Sequence, residues 1–129
     1  MENGPHSFDR TYACSILREL GPDAESAIPA LIKALNCGDA SVEREAPRSL
    51  GAMRETAAQA VPALITNLKK INQDAGWFSA KALGDIGPPA IQAIPDLEIA
   101  ARCKDELMVE SANKALIKLR RIKNPENAG

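Results

Sequence analysis

The side chains best suited to proton transfer, nucleophilic attack or metal ligation are few in this 129-residue chain and lie far apart in sequence. Its single histidine, His6, stands in a Gly/Pro-flanked leading stretch. A histidine-centred triad, a histidine base in a packed site and a His-rich metal site are thereby excluded by count. Cys14, Cys37 and Cys103 are odd in number and lack a C-x-x-C spacing, which predicts reduced thiols. Neither G-x-G-x-x-G nor G-x-x-x-x-G-K-[ST] occurs to cradle a phosphate. Carboxylates are plentiful, but Glu43, Glu45, Asp105 and Glu106 fall in first helical turns, where they read as solvated groups that offset the macrodipole. The residues therefore predict no catalytic group, no cofactor and no metal, and they argue against an enzyme.

The elements that must position any other site are visible in composition first. Apolar residues make up 45% and charged residues 26%, ordinary globular values, yet aromatics are only 3% while 22 residues are alanine. That balance predicts closely packed, alanine-spaced helices. Sixteen basic against seventeen acidic residues give a net charge of −1, so no overall field draws the chain to nucleic acid or an anionic membrane. No apolar run approaches the ~20 residues needed to span a bilayer. Residues 1–7 carry neither the basic nor the apolar region of a signal peptide, and a soluble, cytoplasmic protein is expected.

Sliding the sequence against itself gives one dominant offset, 33 residues. Five columns are identical in three copies: Leu17/50/83, Ala24/57/90, Ala27/60/93, Pro29/62/95 and Leu31/64/97. Chance would give roughly 0.3 such columns at this composition, so the repeat is real. Each unit reads as two helices. In helix A, apolar positions such as Ala46, Leu50 and Met53 recur at helical spacing as Ala82, Leu83 and Ile86. Gly21-Pro22 and Gly87-Pro88 then stop it, and Pro29, Pro62 and Pro95 fit the first turn of helix B. Asp39 and Ser41, Asn72 and Asp74, and Asp105 supply N-caps for the next helix A. The predicted order is A helices over about 8–20, 41–53, 75–86 and 107–122 alternating with B helices over 29–37, 62–70 and 95–103. Repeats over about 8–40, 41–73 and 74–106 and a half-repeat over 107–122 form one domain, 8–122, between tails 1–7 and 123–129. Such units bury their apolar faces only by stacking, so the expected fold is an all-α solenoid of about seven helices. By that stacking Cys37 and Cys103 lie roughly 20 Å apart, beyond disulfide reach.

Over residues 8–122 the sequence resembles HEAT-like repeats, in particular the short bacterial and cyanobacterial kind named after phycobilisome lyases. Ser79-Ala80-Lys81-Ala82-Leu83-Gly84-Asp85-Ile86-Gly87-Pro88 carries the likeness almost letter for letter. Three departures stand out. Pro47 occupies a helix interior that should bend there, Arg54-Glu55 replaces Gly-Pro, and Glu98 replaces the aliphatic Ile32 and Ile65 of its column. The resemblance implies a right-handed superhelix whose B helices line a concave, non-catalytic binding face.

On that face Lys33, Asn36, Thr66, Lys69, Lys70, Ile99 and Arg102 would form a mildly basic stripe for a protein or peptide partner. Glu98 reads either as an i,i+4 partner of Arg102, with Ile99 turned into the buried place, or as a groove carboxylate that meets a ligand. Trp77 and Phe78 form a second candidate patch on the A side, as interface anchors or as covers for neighbouring alanines. The first 65 residues carry −3 and the rest +2, with Lys114, Lys118, Arg120, Arg121 and Lys123 clustered in the last helix, a polar cap or a weak anion-binding end. Two other readings stand beside the scaffold. One is a bilin-lyase-related assembly or chromophore-handling factor, implied by the family name. The other is a nucleic-acid-binding module, against which a pI of about 5.9 argues.

Overall fold

Every regular element in the computed structural model, which describes residues 18–19, 25–70 and 72–125, is helical. In chain order these are α1 (Ile28–Ala34), α2 (Ala40–Ala52), α3 (Val61–Asn67), α4 (Asp74–Ile86), α5 (Ile94–Ala100) and α6 (Glu106–Lys123). The A helices of the repeat are α2, α4 and α6, and the B helices are α1, α3 and α5. Apart from Arg18 and Glu19, both helical, the expected first A helix lies outside the described residues, as do His6 and Cys14.

The chain chemistry behind these boundaries is mostly local. Asp39 and Asp105 cap α2 and α6, each accepting two backbone N–H groups of the first turn. The middle joint departs from expectation. The N-cap of α4 is Gln73, which makes no side-chain cap bond, while Asn72 takes φ +65° in the turn before it. Pro29, Pro62 and Pro95 sit in the first turns of the B helices, as predicted. Between A and B the expected turns are 3-10 segments, Arg54–Ala60, broken at Ala57 (φ −89°, ψ 22°), and Pro88–Ala93. Ala57, Ala60, Ala90 and Ala93 in them are wholly buried, which explains two of the identical alanine columns: a larger side chain has nowhere to go. Helix α2 runs on through the buried Pro47 to Ala52.

The A helices stack on one another, α2 on α4 and α4 on α6, while each B helix packs against the A helix that follows it, α1 on α2, α3 on α4 and α5 on α6. Leu31, Leu64 and Leu97 meet Leu50, Leu83 and Leu116 in one continuous core. Each such buried leucine contributes about 2 kcal/mol. The joints between A helices repeat in register. A Cβ on Gly51 would lie 3.1 Å from the Cα of Ala82, and one on Gly84 would lie 2.9 Å from the Cα of Ala115. The Leu-Gly pairs are therefore contact points between neighbouring backbones as well as punctuation.

One layer is polar. Asn67 of α3, buried, donates from Nδ2 to Oγ of the buried Ser79 of α4 at 3.1 Å. The same two columns hold Ala34 with Ala46, and Ala100 with Ala112, in the flanking repeats.

Two substitutions probe these joints in opposite directions. Alanine intrinsically favours a helix over glycine by about 1 kcal/mol. Even so, Gly84→Ala is expected to lower unfolding free energy by about 1–2 kcal/mol in urea titrations, because its methyl meets backbone. Arg54, at φ +57°, occupies the column where the next repeat has Gly87 at φ +89°. Arg54→Gly should raise stability by about 1 kcal/mol, since a side chain in that region is strained.

Candidate functional site

Along each B helix the residues four and seven positions after the proline face outward. They form two parallel rows, Lys33–Thr66–Ile99 and Asn36–Lys69–Arg102, and all six residues are exposed. Lys33, Lys69 and Arg102 make no ion pair among the described residues, while Thr66 returns its hydroxyl to the Pro62 carbonyl at 3.2 Å. Ile99 is 61% exposed, the most open large apolar side chain of the described residues. The three proline positions beside these rows are exposed as well.

Two stripe residues behave differently from expectation. Lys70 is half-buried: its ammonium donates to the Leu35 carbonyl at 3.0 Å and pairs with Glu43 at 3.2 Å, tying the end of one B helix to the next repeat. Glu98 does not pair with Arg102. It meets Arg120 of α6 at 2.6 Å, and Ile99, left outward, does not take a buried place. The Glu98 carboxylate is thus engaged within the fold, by α6.

The aromatic pair divides. Half-buried Trp77 donates its indole N–H to Asp105 at 2.6 Å. Asp105 also accepts the backbone N–H groups of Asn72 at 2.6 Å, Leu107 at 3.1 Å and Met108 at 3.4 Å. It is thus a buried clamp, not a solvated first-turn charge, joining two inter-repeat links and α4. Burial pushes its carboxyl up, but the Trp77 and backbone donors outweigh that and hold it below the usual carboxylate range. Phe78 instead floors a groove of about 300 Å³ between α2 and α4, with the Arg48 guanidinium 5.0 Å over its ring.

Two further carboxylates expected to be solvated are built in. Glu45 is buried and holds Arg18 at 2.7 Å and Arg48 at 3.2 Å, with Arg44 at 3.8 Å. Glu43 accepts the Gly38 N–H at 2.7 Å besides Lys70. The signal for Glu45 lay in its column, which holds Tyr12 and Phe78 in the neighbouring units and so faces inward. On the same side Asp85 bridges Lys118 at 2.7 Å and Lys81 at 2.9 Å. Burial raises its carboxyl, and the hydrogen bonds and charges of those two lysines bring it down past its ordinary value. Cys37 and Cys103 are free thiols, and among the described residues no three His, Cys, Asp or Glu side chains gather as a metal site would need. No described helix is long and apolar enough to cross a membrane.

A family model described as HEAT repeats matches residues 28–117. No curated protein matches the chain.

The depressed carboxyls set a pH dependence. A group whose pKa is lower folded than unfolded stabilises the fold above its unfolded value near 3.8, and that stability is lost as pH falls through the folded value. Unfolding midpoints in urea should therefore be level near neutrality and decline below about pH 4. Asp105→Asn should flatten part of that decline and lower the plateau, with the Trp77 emission shifting to the red as its partner weakens.

Proposed function

Because the chain belongs to the HEAT-repeat family, we propose that it is a non-catalytic scaffold that takes a segment of another protein across its B-helix face. The observation that carries this reading is the pair of open rows, with Ile99 at 61% exposure beside Lys33, Lys69 and Arg102, which make no ion pair among the described residues. An apolar anchor next to unpaired cations suits a segment with one large apolar residue followed by acidic ones. Lys70 and Glu98, engaged within the fold, form the edge of this surface and shape it. The stretch from Ser79 to Pro88 further supports repeats of the short phycobilisome-lyase style, a statement about repeat architecture and not about activity.

Selection of displayed peptides on the immobilised protein tests this. The selected sequences should combine acidic residues with one large apolar residue, and Lys69→Glu with Arg102→Glu should weaken them at least tenfold, as should Ile99→Ser. Helical circular dichroism should stay unchanged, because exposed charges contribute little to stability. Peptides indifferent to all three changes would place the site elsewhere. Trp77→Ala should act on stability instead, through the Asp105 clamp.

A further inference from the structure

The opposite face carries a pattern of its own. Arg48, Lys81 and Lys114 stand in one column of the repeat, one on the crest of each of α2, α4 and α6. The groove between α2 and α4 is lined by Arg48, Arg54 and Lys81, and a second groove over α6, about 470 Å³, by Lys81, Lys114, Lys118 and Arg121. Lys81 belongs to both, so the two grooves form one surface. With Arg18, which also lines the first groove, seven cations there face two carboxylates, Asp85 and Glu110, with Glu45 buried beside them, on a chain whose net charge is −1. Between the cations the floor is apolar: Pro47, Ala52, Phe78 and Ala82 in the first groove, Ala115 and the 52% exposed Ile117 in the second.

We propose that this A-helix face docks an acidic amphipathic helix of a partner protein, laid across α2, α4 and α6. Stacked helices lie 8–10 Å apart, and residues i and i+7 of a helix are about 10.5 Å apart along its axis. Carboxylates at i, i+7 and i+14 thus meet the Arg48, Lys81 and Lys114 row in register, with apolar residues between them over Phe78 and Ile117. Lys81 and Lys114 are 63% and 72% exposed, so their pairs with Asp85 and Glu110 exchange at little cost. A nucleic acid fits less well. Its charges recur at a few ångströms along the backbone and would fall on the interleaved carboxylates as often as on the cations.

The test uses the whole chain and two labelled synthetic 18-residue helical peptides of one composition. In one, glutamates stand at 2, 9 and 16 with leucines between; in the other they are bunched at 2, 5 and 9. Fluorescence anisotropy at low salt should show the first binding at least five times more tightly. Lys81→Gln with Lys114→Gln should cost it about tenfold, and Lys69→Glu with Arg102→Glu on the other face should not. Both pairs of changes lie at exposed positions, so retained helical signal verifies folding. Equal affinity for the two peptides, no binding at 1 mM, sensitivity to the B-face pair alone, or equal binding of a thymidine 20-mer would each overturn the proposal. Since the B-face reading is tested by other residues, either can fail alone.

Discussion

Two helix backbones can touch only where a side chain is missing, and the stacking of the A helices depends on that. Gly84 meets Ala115 at a distance that leaves no place for a Cβ, and Gly51 meets Ala82 at one that a Cβ would make tight. Much else follows from this spacing. Helices brought so near leave a thin interior that alanine and leucine fill and that large rings would split, in keeping with few aromatics. Long side chains are driven to the crests, where lysine and arginine spread their stems over the small residues beneath and keep their charges in water. The cationic grooves of the A face are in this sense the outer surface of a joint made of glycine and alanine.

Charge that does enter the fold is held in one of two ways. Asp105 is satisfied by neutral N–H donors from three segments, so its value lies in fixing the links relative to α4. Glu45 is held by arginines of its own helix and of the preceding one. Removing a partner from either would leave a buried carboxylate uncompensated, a loss larger than the interaction itself contributes in balance with its desolvation. On the B face Lys70 has such a duty, while Lys33, Lys69 and Arg102 make no ion pair among the described residues.

How much of this could be read in the sequence depends on whether a feature obeys the period. The helix order, the prolines in first turns, the capping aspartates and the alanine columns follow from 33-residue recurrence, and among the described residues each is found where expected. The features that escaped are departures from the period, or pairs made between repeats. Gln73 replaces a predicted cap because the second link holds one residue more before its helix than the first does. Glu98 finds Arg120 because α6 crosses beside α5, a proximity no local spacing encodes. The rows of the B face were legible as positions. Which of their cations are free was not, since that depends on Glu43 reaching Lys70 across 27 residues of sequence.

The Asn67–Ser79 layer has a consequence for how the chain finds its own register. Three units that share their core leucines and alanines invite mistaken partnering, with a B helix settling on the wrong A helix one repeat away. Most contacts would survive such a slip, since leucine would replace leucine and alanine would replace alanine. Asn67 would not survive it: set against Ala46 or Ala112 in place of Ser79, its amide would be buried without a partner, at a cost of about 1–3 kcal/mol. The asparagine and serine thus act as an address, contributing little to the strength of the correct assembly while penalising its shifted and exchanged competitors.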